Sequence, residues 1–185
     1  MLIAAVIIAA SVSSIAGDLV FDVCQGYYSG TKLPYRKAIS NGDGNGKYAL
    51  VIYLHGGSSK GNDNNKQLAE KGIDSIANYI LRHNEKAVFV VPQCPSDKSW
   101  GGPMLSVLKG LIDEQMQAAD MDHNRIYIFG GSMGGTGTWS MLSAYPGLFT
   151  SAMPVAGNPS QCIADNVVKT PIFTVMGTAD RIMSV

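Results

Sequence analysis

The feature that most constrains this chain is the run Ile126-Tyr127-Ile128-Phe129-Gly130-Gly131-Ser132-Met133-Gly134-Gly135, where an apolar stretch stops abruptly in glycines around one serine. The apolar part predicts a buried strand, and Thr136 to Tyr145, halted by Pro146-Gly147, predicts a helix directly after it. Gly130-Gly131-Ser132-Met133-Gly134 has the form G-x-S-x-G. In that form a sharp strand-to-helix turn presents a serine hydroxyl at the end of a parallel sheet. Glycines are needed because the serine backbone is strained and the helix must approach the strand closely. The helix start also aims N–H groups at negative charge developing beside the serine. A phosphate-binding glycine loop is the competing reading, but the Gly-Lys-Ser/Thr of such a loop is absent.

With 185 residues, 46% of them hydrophobic, and a formal net charge of zero, the chain suits one globular domain with a substantial core. Charged residues make up 15% and form no run of one sign, which points away from nucleic acid as a partner. Apolar Leu2 to Ala10, then serines and the small-residue tripeptide Ser14-Ile15-Ala16, predict a signal peptide over 1–16. The first basic residue is Lys32, so the positive start of such a leader is the amino terminus itself. On this reading residues 17–185 are the mature domain, secreted or periplasmic. The stretch is too short and too broken by serine for a membrane span of about 20 residues, so no membrane association is expected. Cys24, Cys94 and Cys162 have no metal-ligand spacing, and three cysteines allow at most one internal disulfide. Asn41 to Gly46 imitates the start of a calcium loop, but Ile52 stands where the bidentate acid belongs, so no metal is expected there.

In chain order, Leu19–Cys24 and Leu33–Ile39 read as short strands. Ala49–Leu54 is a continuous apolar run, as a strand covered on both faces requires, and it ends in His55-Gly56-Gly57-Ser58. The Gly57 N–H can there join the N–H of Met133 in an oxyanion hole. Gln67 to Leu81 has the three-four spacing of an amphipathic helix, with a break expected at Gly72. Ala87–Val91 reads as a further strand, ending in Pro92-Gln93-Cys94-Pro95 and followed by Trp100. If that strand is parallel to its neighbours, Gln93 and Trp100 reach the rim of Ser132 as candidate pocket walls; Trp100 reads equally as a loop anchor. Pro103 opens a helix, and Asp120 to Asn124 lead into the serine strand. Phe149–Val155 and Pro171–Met176 read as two more strands, the second ending in Gly177-Thr178-Ala179-Asp180, an acid placed to orient a base. This alternation specifies an α/β fold with a doubly wound, mostly parallel sheet and helices on both faces.

Taken together, several pieces resemble the α/β-hydrolase superfamily: Leu54-His55-Gly56-Gly57, Gly61-Asn62-Asp63-Asn64, Pro92-Gln93-Cys94-Pro95 with Trp100, Asp122-His123-Asn124-Arg125-Ile126-Tyr127, Gly131-Ser132-Met133-Gly134-Gly135 and Gly177-Thr178-Ala179-Asp180. Within it the chain is most similar to secreted esterases with a polyhydroxybutyrate-depolymerase-like or feruloyl/acetyl-xylan-esterase-like domain. The resemblance implies Ser132 as nucleophile, Asp180 as the acid, and the Gly57 and Met133 amides as oxyanion donors. It implies two-step acyl transfer on a carboxylic ester, small or polysaccharide-linked, with no metal or organic cofactor. A serine peptidase on the same fold is the second class it allows.

One element departs from that pattern. In such enzymes the base histidine follows the acid, whereas His55, His83 and His123 all precede Ser132 and only a few residues follow Asp180. His123 is expected in a turn at the rim opposite Ser132, and His83 at the end of a helix returning to that rim. His55 is on the serine's rim, where the resemblance implies support of the oxyanion turn. Two expectations follow: an esterase sequence lacking its last helix, strand and histidine, or a hydrolase-like protein that binds without turnover. The coexistence of Gly57, Ser132 and Asp180 favours the first.

Overall fold

Asp22–Tyr28 (β1) and Thr31–Ser40 (β2) form an antiparallel hairpin around Ser29-Gly30, both with positive φ (45° and 77°). A two-residue hairpin turn needs that conformation to match the twist of the strands. It carries β1 on to Tyr28 and starts β2 at Thr31, so the expected 33–39 is lengthened, whereas the expected 19–24 shifts, with 19–21 outside β1. A computed structural model describes residues 19–43 and 46–182; the expected leader over 1–16 lies outside them.

Beyond the hairpin, strands and helices alternate: Tyr48–Leu54 (β3), Lys71–Arg82 (α1), Ala87–Pro92 (β4), Met104–Gln115 (α2), Met121–Gly131 (β5), Met133–Ala144 (α3), Ser151–Val155 (β6) and Ala164–Val167 (α4). The sheet order is β1-β2-β4-β3-β5-β6; β4, β3, β5 and β6 are parallel, and β2 joins β4 antiparallel. The fold is therefore the expected α/β sheet, mostly parallel and covered on both faces. Along β3 successive side chains point to opposite faces. Leu50, Ile52 and Leu54 enter the core shared with Leu108 and Ile112 of α2 and Met141 of α3. Ala49, Val51 and Tyr53 enter a second core with Ile73, Ala77 and Ile80 of α1. A strand buried on both sides explains why its sequence shows no polar alternation.

Four sequence expectations change. The helix expected over 67–81 begins at Lys71, because Lys66–Ala69 forms a separate 3-10 turn. Gly72 does not break it: glycine lies inside α1 because a Cβ there would stand 2.6 Å from the Tyr53 ring. Pro171–Met176 is not a full strand; it runs parallel to β6 through the bridges Ala152–Ile172 and Val155–Val175. His123 lies within β5 rather than in a turn, because that strand starts at Met121.

The three thiols are free, with Cys24 and Cys94 buried, and burial pushes the Cys94 thiol up to about 12. No described helix is long and apolar enough to cross a membrane. On the α1 side of the sheet, half-buried Tyr127, Phe129, Met153 and Val155 line an open groove of about 750 Å³.

Candidate active site

Ser132 sits between β5 and α3 with φ 55° and ψ −117°, a conformation that side chains avoid. Neighbouring bonds hold it there: its N–H donates to the Val155 oxygen at 2.9 Å, and its own oxygen accepts the Thr136 N–H at 3.0 Å. The glycines around it are dictated by contact. A Cβ on Gly134 would collide with the Leu54 carbonyl, and one on Gly135 with the Val155 carbonyl. The start of α3 is thus wedged between the carboxyl ends of β3 and β6. Met133 opens that helix, and the first N–H groups of a helix have no partner within it.

The turn after β3 lies against this wedge. A Cβ built on Gly56 would be 3.7 Å from the Gly131 oxygen and 3.8 Å from Ser132 Cβ. His55, fully buried, organises the turn. Its Nδ1 lies 2.6 Å from the Gly56 oxygen, which can only accept, so Nδ1 carries the proton. Its Nε2 accepts the Cys94 N–H at 2.9 Å, which fixes the neutral ring. Burial pushes the His55 pKa down, in keeping with that state.

The orientation of Gly57 follows. The Gly56 oxygen is held by His55 Nδ1 and by the Ser59 N–H at 3.2 Å. In a trans peptide the N–H points opposite to the carbonyl, so the Gly57 N–H faces away from the imidazole. Gly57 borders open space: a Cβ there would meet nothing within 4 Å. The Gly56-Gly57 turn after β3 and the Ser132-Met133 start of α3 thus lie side by side at one end of the sheet. Asp180 lies past the bridged segment that runs beside β6, at the same end of the sheet, with its Oδ1 accepting the Ile182 N–H at 2.9 Å.

Two expected pocket residues are placed differently. Trp100 is 2% exposed and donates its indole N–H to the His55 oxygen at 3.0 Å. Gln93 is 0% exposed; its Nε2 donates to the Ser59 oxygen and to Asp63 Oδ1, and its Oε1 accepts the Asn64 N–H. Both brace the loops from beneath and present no wall to a ligand, because buried polar groups in a folded chain are taken up by protein partners. His83 caps the end of α1, stacked on Tyr79, and His123 is exposed near the start of β5, at the far rim. Neither they nor the committed ring of His55 can take the Ser132 proton.

Glu70, which no motif marks, also reaches this site. Its Oε1 accepts the Gly56 N–H at 3.1 Å and the Ser59 hydroxyl at 2.8 Å.

A parallel sheet with helices on both faces and a strained serine at the strand-to-helix turn, beside a glycine turn after the neighbouring strand, defines the α/β-hydrolase fold. The comparisons with known proteins agree. Superposition on a thermostable esterase gives a TM-score of 0.79 at 30% identity, covering 92% of this chain and 49% of that one. The feruloyl esterase module from Clostridium thermocellum, complexed with sinapinate, superimposes with a TM-score of 0.64 at 13% identity over 96% of this chain and 75% of that one. A poly(3-hydroxyalkanoate) depolymerase C of Paucimonas lemoignei is 35% identical over 83 residues, which are 44% of this chain and 19% of the depolymerase. The chain thus spans about half the length of the thermostable esterase and a smaller part of the depolymerase. No protein-family model matches it.

Proposed function

We propose that this chain carries the nucleophile and oxyanion hole of a serine hydrolase acting on carboxylic esters. The observation that carries the reading is the strained backbone of Ser132 packed against the Gly56-Gly57 turn. In the proposed reaction Ser132 Oγ attacks the ester carbonyl, and the Gly57 and Met133 N–H groups hold the oxyanion. The alcohol leaves, and water then releases the acid from the acyl-enzyme. Asp180 is assigned to orient the base that accepts the serine proton. No histidine among the 185 residues fills that role, so residues 1–185 by themselves should be a poor catalyst. Without the base, the hole and binding contacts retain only about 10³ to 10⁴ over water.

Acyl or aryl esters, including those on plant polysaccharide, are the proposed substrates, supported by a chain of zero formal net charge and by the esterase resemblance. Export is proposed from the apolar 2–10 stretch and Ser14-Ile15-Ala16, and an amino terminus at Gly17 on the exported protein would support it. A second reading, binding without turnover, is supported by His55 being committed to the Gly56 oxygen and the Cys94 N–H and by His83 being stacked on Tyr79 at the end of α1.

The test is ester hydrolysis by protein made from its complete coding sequence, with Ser132→Ala beside it. Loss of activity with unchanged far-UV circular dichroism is expected. Wild-type rates in the variant would overturn the assignment, and peptide cleavage without ester cleavage would overturn the substrate class. Specific ester binding with no turnover in either protein would establish the second reading.

A further inference from the structure

Glu70 stands at the start of α1, where an acidic side chain ordinarily serves the unpaired N–H groups of its own helix. It makes no such bond. Its carboxylate turns instead to the loop after β3, taking the Gly56 N–H at 3.1 Å and the Ser59 hydroxyl at 2.8 Å through one oxygen, Oε1. The 3-10 turn over Lys66–Ala69 is separated from α1 by Glu70 itself, whose extended backbone (φ −75°, ψ 122°) gives the side chain this direction.

The consequence lies in the peptide unit joining His55 to Gly56. Its carbonyl is held by the Trp100 indole N–H at 3.0 Å and its N–H by Glu70. Both ends of one peptide plane are therefore fixed, from elements on opposite sides of the loop. The next plane carries the Gly57 N–H and is held at its carbonyl by His55 Nδ1 and the Ser59 N–H. Between the two planes lies only Gly56, whose backbone is the least restricted of any residue. Without Glu70 the first plane keeps only its bond to Trp100 and the Ser59 hydroxyl is released, so the two planes gain freedom to rotate about Gly56 and the Gly57 N–H loses part of its alignment. Ser59 is doubly tied: its hydroxyl binds Glu70 while its N–H binds the Gly56 oxygen.

We propose that Glu70 is a positioning residue that locks the His55–Gly56 peptide and so aims the Gly57 N–H at the developing oxyanion. This rests on the serine-hydrolase reading above. A donor held in place before the reaction costs no reorganisation when charge develops, which is why such donors act on turnover more than on substrate binding.

The experiment uses protein made from its complete coding sequence, assayed on a short aryl ester. Glu70→Ala and Glu70→Asp, the latter one methylene too short to reach both donors, should lower kcat about tenfold or more while KM moves by less than about twofold. Glu70→Gln keeps an acceptor oxygen and should stay within about threefold of wild-type kcat. Ser132→Ala run in parallel separates the two claims. Activity surviving in Ser132→Ala would sink the serine reading and this proposal with it. If Ser132→Ala is inactive but Glu70→Asp turns over at the wild-type rate, the positioning role fails alone. It also fails if Glu70→Gln is as slow as Glu70→Asp, or if the loss falls on KM. Glu70→Asp keeps the test decisive should Glu70→Ala not fold.

Discussion

Trp100 donates its indole N–H to the main-chain oxygen of His55 across 3.0 Å, with the two rings edge to face at 5.2 Å between centroids. A residue in the loop after β4 thereby supports the turn after β3. Trp100→Phe keeps most of the apolar contact but leaves a buried carbonyl without its donor. The variant should lose about 1 to 3 kcal/mol of stability, read by chemical denaturation. No loss would mean that the bond adds nothing to the turn.

Gly134 and Gly57 should respond oppositely to alanine. At Gly134 the added Cβ collides with the rigid Leu54 carbonyl, and a cost of about 3 kcal/mol or more, with loss of soluble protein, is expected. At Gly57 nothing lies within 4 Å of the new carbon, so stability should change by less than about 1 kcal/mol. Thermal denaturation of the pair checks both.

Ser132→Gly separates chemistry from folding. The serine occupies φ 55°, ψ −117°, and replacing it with glycine should stabilise the fold by about 1 kcal/mol while abolishing ester hydrolysis. A destabilised variant would show that the turn holds its serine without strain.

His55 makes stability depend on pH. Its folded pKa is pushed below the ordinary value of about 6.5 by burial, so the folded state binds fewer protons than the unfolded state in the window below that value. The stabilisation is present above about pH 6.5 and is lost as pH falls through the folded pKa. Melting temperature should be flat from pH 8 to 7 and fall from about 6.5 downward, and His55→Gln, though less stable, should flatten that slope. The exposed Asp63 carboxyl is held at about 2 by the Lys66 and Asn65 N–H groups and the Gln93 amide. Its contribution begins to be lost only as the solution passes below its ordinary 3.8, well under the pH at which the His55 slope begins.

The elements that sequence alone determined are those whose cause is local. The apolar runs of β3, β4 and β5, the glycines at 134 and 135, and the serine between strand and helix follow from burial on both faces and from a turn that excludes side chains. Strand ends and helix starts were less legible. The full length of β1 and β2 depends on pairing across the hairpin, and the segment at 171–176 reads as a strand but makes only two bridges to β6. Tertiary structure alone decided the roles of Trp100, Gln93 and Glu70. An indole after a Gly-rich rim looks the same in sequence whether it faces a ligand or a buried carbonyl 45 residues away. Glu70 lies 14 residues from the Gly56 N–H it accepts, and the helical spacing of Gln67 to Leu81 passes straight through it. Hydrophobic periodicity reports which face of an element is buried; which distant backbone group a polar side chain satisfies is settled only when the elements pack.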